Sequence, residues 1–365
     1  MAHHSARSFT IRNASRKLNP IAWLLVMALM TCVMPIAGRT HAQSNALTTW
    51  AVSIVLPPKL VAGKMATLAV LGVDGRLAEG ITISIGDTLK LKTDKTGRAS
   101  FLVPPDRSVI IASGSGNSSA ALVDPPQPPG GKQALAVAPV VSLVDQFSIC
   151  GADFLEQADA NRVNINDERA FVLAASPECV VVLANPRALP GHARITIESS
   201  AGKWEAATTL VSLHFDPPIP PLIPGKKSKL ALHVQGSDQV LRVLAENRTP
   251  GVLRFLRGDT QSLLTSGPGG GNSGEVSVEA VSAGDFSFRA RILPGSDPAS
   301  ARRYLLAAAQ LAPKEWKSRT NGYAHDLERH PHDTGKISRD LQVMTTATVA
   351  GDFKTLLEAA RAALQ

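Results

Sequence analysis

Between Trp50 and Leu293 the chain consists of strand-length apolar runs alternating with turn chemistry, a pattern that limits it to small β-structures arranged in series. The first set is "WAVSIVL", "MATLAVLGV", "ITISI", "LKLKT", "RASFLV" and "SVIIAS", broken by "DGR" at Asp74, "GD" at Gly86 and "DKTG" at Asp94. Runs of this length, rich in β-branched residues and closed by glycine turns, predict hairpins packed as a sandwich. Val, Ile, Thr, Ser, Gly and Pro dominate the middle of the chain, and aromatic residues make up only 4% of it. That composition belongs to short strands and tight turns.

Two proline-rich stretches divide the run. "DPPQPPGGK" starts at Asp124, and "FDPPIPPLIPGKKSK" spans Phe215 to Lys229. Neither can continue a sheet, so both are predicted to be semi-stiff spacers. The expected order is a sandwich at 47–123, a linker at 124–133, a second sandwich at 134–215, a linker at 216–227 and a third sandwich at 228–294. "GPGGGNSG" at Gly267 to Gly274 is expected to be a loop between strands of the third. After Leu293 the pattern becomes helical: Ser296 or Asp297 serves as N-cap, Pro298 sits in the first turn and apolar residues recur at helical spacing. The predicted fold class is mainly β, tandem sandwiches followed by an α-helical tail over 296–365.

The N-terminus carries Arg7, Arg12, Arg16 and Lys17 without an acid, then the apolar stretch "IAWLLVMALMTCVMPIAG", then "RTHAQS". This is the plan of a secretory signal peptide over 1–42, with cleavage expected after Ala42. A membrane anchor is the alternative, but Pro35 breaks a stretch already at the short limit for crossing a bilayer. Cys32 follows Thr31, a poor setting for lipid attachment. Five of the 38 basic residues and none of the 30 acids precede Gln43, so the processed chain carries 33 minus 30, or +3. The high overall basicity therefore resides mainly in the leader, and nucleic acid is excluded as an expected partner.

Some of these motifs carry family resemblances. Asp94, Gly97, Ala99, Phe101, Val103 and Pro104 form a "D-x-x-G-x-a-x-F-x-V-P" pattern. It resembles bacterial immunoglobulin-like or carboxypeptidase-regulatory-like modules. In the second segment the ordered elements are Ile149, Gly151 and Phe154; Asn161, Val163 and Ile165; Ser176, Pro177, Val180 and Val182; and Leu189, Pro190, Gly191, Ile195 and Ile197. This order resembles an IPT/TIG domain, an immunoglobulin-like sandwich, over about 80 residues. The resemblance implies a binding or spacing module rather than a catalyst. Near the C-terminus, Ala350, Gly351, Phe353, Thr355, Leu356 and Ala359 resemble the opening of a fasciclin-type adhesion domain, and an amphipathic helix accounts for the same residues.

Cys150 and Cys179 remain after processing, and an even pair in an exported chain predicts a disulfide. No histidine lies near either in sequence, so neither has the basic partner a catalytic thiol needs. The rival constellation is "HDLERHPHD", where His325, His330, His332 and Asp333 offer imidazole and carboxylate ligands for zinc or a similar ion. Pro331 prevents a single helix from carrying all of them, and a solvated connection between tail helices is the plainer explanation. "SAGK" at Ser200 and "KTG" at Lys95 imitate penicillin-recognising motifs but occur in reversed order. The glycine-rich loop lacks the lysine of a phosphate cradle. The expectation is thus an exported, non-catalytic, multidomain scaffold, secreted or held in the periplasm or cell envelope, without a cofactor. Its expected partner is a protein or cell-surface polysaccharide, and a metal-binding protein or metal-dependent enzyme is the alternative.

Overall fold

Successive side chains of a strand point to opposite faces, so a strand with one buried side alternates. Gly191–Ser199 does so: Ala193, Ile195 and Ile197 are fully buried, while His192 and Arg194 face solvent. Repeated along the chain, this alternation fills three separate apolar cores. The computed structural model describes residues 9–10, 52–86, 89–107, 109–115, 117–126, 135–151, 153–216, 222–256, 260–266 and 272–292, with Ser318, Asn321, Gly322, Tyr323, His325 and Arg329. Those last six are helical; the rest of the predicted tail, and the leader apart from Phe9–Thr10, lie outside the described residues.

The first sandwich sets Lys59–Val61, Asn117–Asp124, Val109–Gly114, Thr82–Ile85 and Leu89–Lys92 against Ser53–Val55, Met65–Leu71 and Arg98–Leu102. Leu60, Leu68, Ile83 and Phe101 lie at its centre. The second sets Ala136–Val137, Phe147–Cys150, Cys179–Leu183 and Phe171–Ala175 against Glu168–Arg169, Arg162–Ile165, Gly191–Ser199 and Val140–Ser142, together with the first part of Gly202–Phe215. The third sets the end of Gly202–Phe215, Lys227–Gln235, Asn272–Ala280 and Leu253–Phe255 against Thr260–Leu264, Arg242–Asn247 and Phe288–Ile292.

The first two sandwiches open in the same way. Ser53–Val55 lies antiparallel to Met65–Leu71; after Pro57 and Pro58 the chain crosses to the other sheet, where Lys59–Val61 runs parallel to Leu122–Asp124. Ala136–Val137 lies antiparallel to Phe147–Cys150; after Pro139, Val140–Ser142 runs parallel to Thr209–Val211. Proline has no N–H to give a ladder, so it sits where the strand leaves one sheet for the other. Its carbonyl still accepts: Pro58 O from Leu122 N–H at 3.0 Å and Pro139 O from Thr209 N–H at 2.9 Å.

The residues that carry the IPT/TIG resemblance serve packing and turns. Ile149, Val163, Val180, Val182, Ile195 and Ile197 are core residues. A Cβ on Gly151 would lie 2.8 Å from the Leu135 side chain and 3.3 Å from Phe154, so glycine leaves room for both as Phe154 meets Trp204 edge-on at 5.4 Å. Asn161 is buried, accepts from Leu155 N–H at 3.0 Å and donates to the carbonyls of Leu155 and Gln157 at 2.7 and 3.0 Å. Cys150 and Cys179 are directly paired on neighbouring strands and form a disulfide, as their sequence context predicts.

Candidate functional site: two sheet junctions and a polar cleft

Three cores in series raise the question of what lies between them, and at both boundaries a strand is buried on two faces. Met65–Leu71 sends Ala66, Leu68 and Val70 into the first core. Its other face carries Ala69 and Leu71, which pack with Val55, Leu173, Ala174, Val181 and Leu183 in a separate apolar cluster between the first two sandwiches. On the same face Thr67 pairs across the boundary with Ala175, and its hydroxyl donates to Glu156 O at 2.7 Å. Ser176 Oγ donates to Lys59 O at 2.7 Å, joining the hairpin Phe171–Leu183 to the first sandwich.

Arg98 completes this first junction. Strand Phe171–Ala175 is bulged: Val172 pairs with Val182 and Ala174 with Val181, leaving Leu173 as the extra residue. A bulge interrupts the ladder, so carbonyls there need other donors. Arg98 donates to Leu173 O at 3.0 Å and Val172 O at 2.6 Å, with a further contact to Asp159 at 3.3 Å. Its side chain is only 12% exposed.

The second junction is a shared strand. Gly202–Phe215 has 14 residues and crosses from one sandwich to the next. Trp204, Ala206 and Leu210 face the second core; Val211, Leu213 and Phe215 face the third. The switch from even to odd positions places the two cores on opposite faces of one continuous sheet. The adjoining strand makes the same switch, with Val140 in the third core and Val141 in the second. Arg289 and Asp145 form an ion pair of 2.9 Å across this junction.

A cleft of about 560 Å³ opens where these two sandwiches meet, lined by His192, Thr209, Gly236, Ser237, Asp238 and Gln239. His192 and Thr209 are register partners on the second sandwich. The facing wall is the turn after Lys227–Gln235, whose Gly236 has φ +98°. A Cβ there would overlap Leu210 O and lie 2.7 Å from Gly191 N and Pro190 Cβ. The buried Asn272 amide donates to Ser237 O at 2.9 Å and Gln239 O at 2.6 Å, fixing the turn from behind. On the outer face of the third sandwich, His214 stacks on His233 at 5.5 Å, and His233 Nε2 lies 2.7 Å from Asp216.

Of the metal ligands expected in the tail, His325 is exposed and helical; His330, His332 and Asp333 lie outside the described residues. Among the described residues no group of three or more His, Cys, Asp or Glu could hold a metal ion. No helix among them is long and apolar enough to cross a membrane. Asn247 donates its amide N–H to Leu253 O and accepts from Thr249 N–H. Sequence reasoning did not reach Arg98, Gly236 or the cleft. Two signals were present: the run "MATLAVL", apolar on both faces except at Thr67, which a strand buried on both faces produces, and the parity change after Leu210.

No family model matches the chain, and no curated protein matches it. Solved structures that match the chain include SGBP-B of the mixed-linkage glucan utilization locus of Bacteroides ovatus, in complex with a mixed-linkage heptasaccharide. It is 12% identical, with 65% of this chain and 73% of that one covered and a TM-score of 0.24. The N-terminal four Ig domains of Dscam1 isoform 7.44 are 10% identical, covering 67% and 72% of the two chains at a TM-score of 0.21. The plexin A4 extracellular region is 9% identical, covering 70% and 24% at a TM-score of 0.26. Superposition at this level carries nothing about what this chain binds.

Proposed function

We infer that the protein is an exported, non-catalytic scaffold that holds binding surfaces at fixed spacing in the periplasm, cell envelope or extracellular space. Its central sandwich is an immunoglobulin-like module of the IPT/TIG type, and its partner is a protein or a cell-surface polysaccharide. The observation that supports this reading is the construction of the two junctions. Sheet pairing continues through both, and each is further tied by an arginine. Domains meant to move independently meet through small polar contacts, whereas a shared strand leaves no hinge. The disulfide fits an oxidising compartment.

The test is a distance distribution between spin labels at Lys90 on the first sandwich and Arg254 on the third, both exposed. A single narrow distribution, unchanged by moderate salt, is expected for a rod with fixed spacing. A broad or bimodal one removes the reading.

A further inference from the structure

The cleft at the second junction has a lining that fixed spacing alone does not require. The geometry points to a binding site there for a neutral, hydroxyl-rich ligand, a short stretch of polysaccharide, held by His192, Thr209, Ser237, Asp238 and Gln239. This deepens the scaffold reading and rests on it.

Charge selects the ligand class. Among the described residues no lysine or arginine lines the cleft, and its one carboxylate is that of Asp238. A phosphate, sulfate or acidic sugar would find no guanidinium or ammonium group to pair with and one repelling carboxylate. Nor is the lining apolar enough for a lipid or a hydrocarbon ring, since five of its six residues carry polar side chains. What remains is a surface of two hydroxyls, an amide, an imidazole and a carboxylate. Hydroxyl, amide and neutral imidazole groups both donate and accept, while the carboxylate only accepts. Sugar hydroxyls also do both, and neighbouring hydroxyls on a ring suit a carboxylate that takes two donations. Val240, 59% exposed, follows Gln239 in sequence and offers an apolar surface for the C–H face of a sugar ring.

The site is preorganised. Its walls belong to two sandwiches that share a strand, and the turn forming one wall is pressed against Leu210 and Gly191 at Gly236 and held by the buried Asn272 amide. Both carbonyls that Asn272 holds are thereby committed, and the Ser237–Gln239 side chains are left at the surface. Little ordering remains to be done on binding. The volume falls within the range of small-ligand sites, and the cleft is open to solvent, so a polymer can enter and leave at its ends. An open site of this kind binds weakly, with Kd of about 0.1 to 1 mM for an oligosaccharide.

The test uses the full chain. Short oligomers of β-1,4-glucose, α-1,4-glucose and β-1,4-mannose are titrated calorimetrically, and the corresponding soluble polymers are cast into native gels to measure retardation. Binding is expected to at least one series. It should fall about tenfold or more in the double variant Asp238→Ala, Gln239→Ala and in Asp238→Asn, and remain unchanged in Lys90→Ala on the first sandwich. All are surface changes, and an unaltered melting temperature verifies folding. Absence of binding to every sugar by the folded chain overturns the ligand class, as does capture of a peptide or protein at the cleft instead. Sugar binding that survives the Asp238 variants overturns the location. Neither result touches the spin-label distances, which test the scaffold reading separately.

Discussion

The two junctions reach the same rigidity by different chemistry. At the first, two finished sandwiches press edge regions together, joined by a single backbone pair, Thr67 with Ala175, and an apolar cluster. At the second, one strand belongs to both sandwiches. The first junction therefore depends on side chains, Arg98 above all, while the second depends on backbone and on one position without a side chain, Gly236. A junction built from side chains can be loosened one residue at a time. A junction built from a continuous strand fails only if the strand or its close approach is disturbed.

The largest effect is expected at Gly236. Alanine there must accept φ +98° and also displace Leu210 O, Gly191 N and Pro190. Left-handed strain and overpacking together cost about 2 to 5 kcal/mol. Hydrogen–deuterium exchange should show it as faster exchange at Thr209 and Leu143, whose N–H groups donate to Pro139 O and Val211 O at this junction. Exchange in the first sandwich should not change. Protection equal to that of the parent would mean that the turn relaxes freely and the second junction is looser than described.

Arg98→Ala comes next. It leaves the Val172 and Leu173 carbonyls of the bulge without their donor, and losing charge-assisted hydrogen bonds in a part-buried site costs about 2 to 3 kcal/mol. Arg98→Lys should recover little, because an ammonium cannot reproduce the fork that spans two carbonyls. The spin-label distances described above should broaden in Arg98→Ala. By contrast Arg289→Ala, which removes the 2.9 Å pair with Asp145, should cost less than about 1 kcal/mol, since the arginine is 46% exposed. Equal costs for the two arginines, measured by the shift in urea midpoint, would erase the distinction between the junctions.

Why the disulfide could be anticipated and Arg98 and Gly236 could not is a matter of range. Short-range patterns specified the strands, the turns and the disulfide: Cys150 and Cys179 stand on apolar runs in an exported chain, and the ordered elements from Ile149 to Ile197 pack one core. The mainly β sandwich architecture follows from the same alternation. Arg98 looks in sequence like any outward residue of "RASFLV"; its role comes from a bulge 75 positions away. Gly236 looks like an ordinary turn glycine, and only the approach of Leu210 and Pro190 makes it necessary. The cleft likewise joins His192 to Asp238, residues brought together by the shared strand. The tail histidines His330 and His332 stood out because they cluster locally, which is the kind of signal a sequence exposes most easily.

The smallest effect refines the first junction from the side of the turn that precedes Arg98. Asp94 accepts from Thr96 Oγ at 2.7 Å, Thr96 N–H at 2.7 Å and Arg98 N–H at 3.2 Å, and so fixes the hairpin that delivers the arginine. The hydrogen bond from the Thr96 hydroxyl is the largest influence holding its carboxyl below the ordinary aspartate value of 3.8; burial, next in size, opposes it, and the backbone N–H groups of Arg98 and Thr96 and the Arg98 charge add to the lowering. A carboxyl that loses its proton more readily when folded contributes stability at pH values above the unfolded pKa. That contribution disappears as pH falls through the lower, folded value. Because the group is exposed, solvent screening limits it to about a few tenths of a kcal/mol. Asp94→Asn should thus lower the melting temperature slightly at neutral pH and converge with the parent as pH falls through the lowered, folded value of the carboxyl. A difference between the two that persists undiminished into acid would mean that the turn depends on the shape of the side chain rather than its charge, and that Arg98 is positioned by the backbone alone.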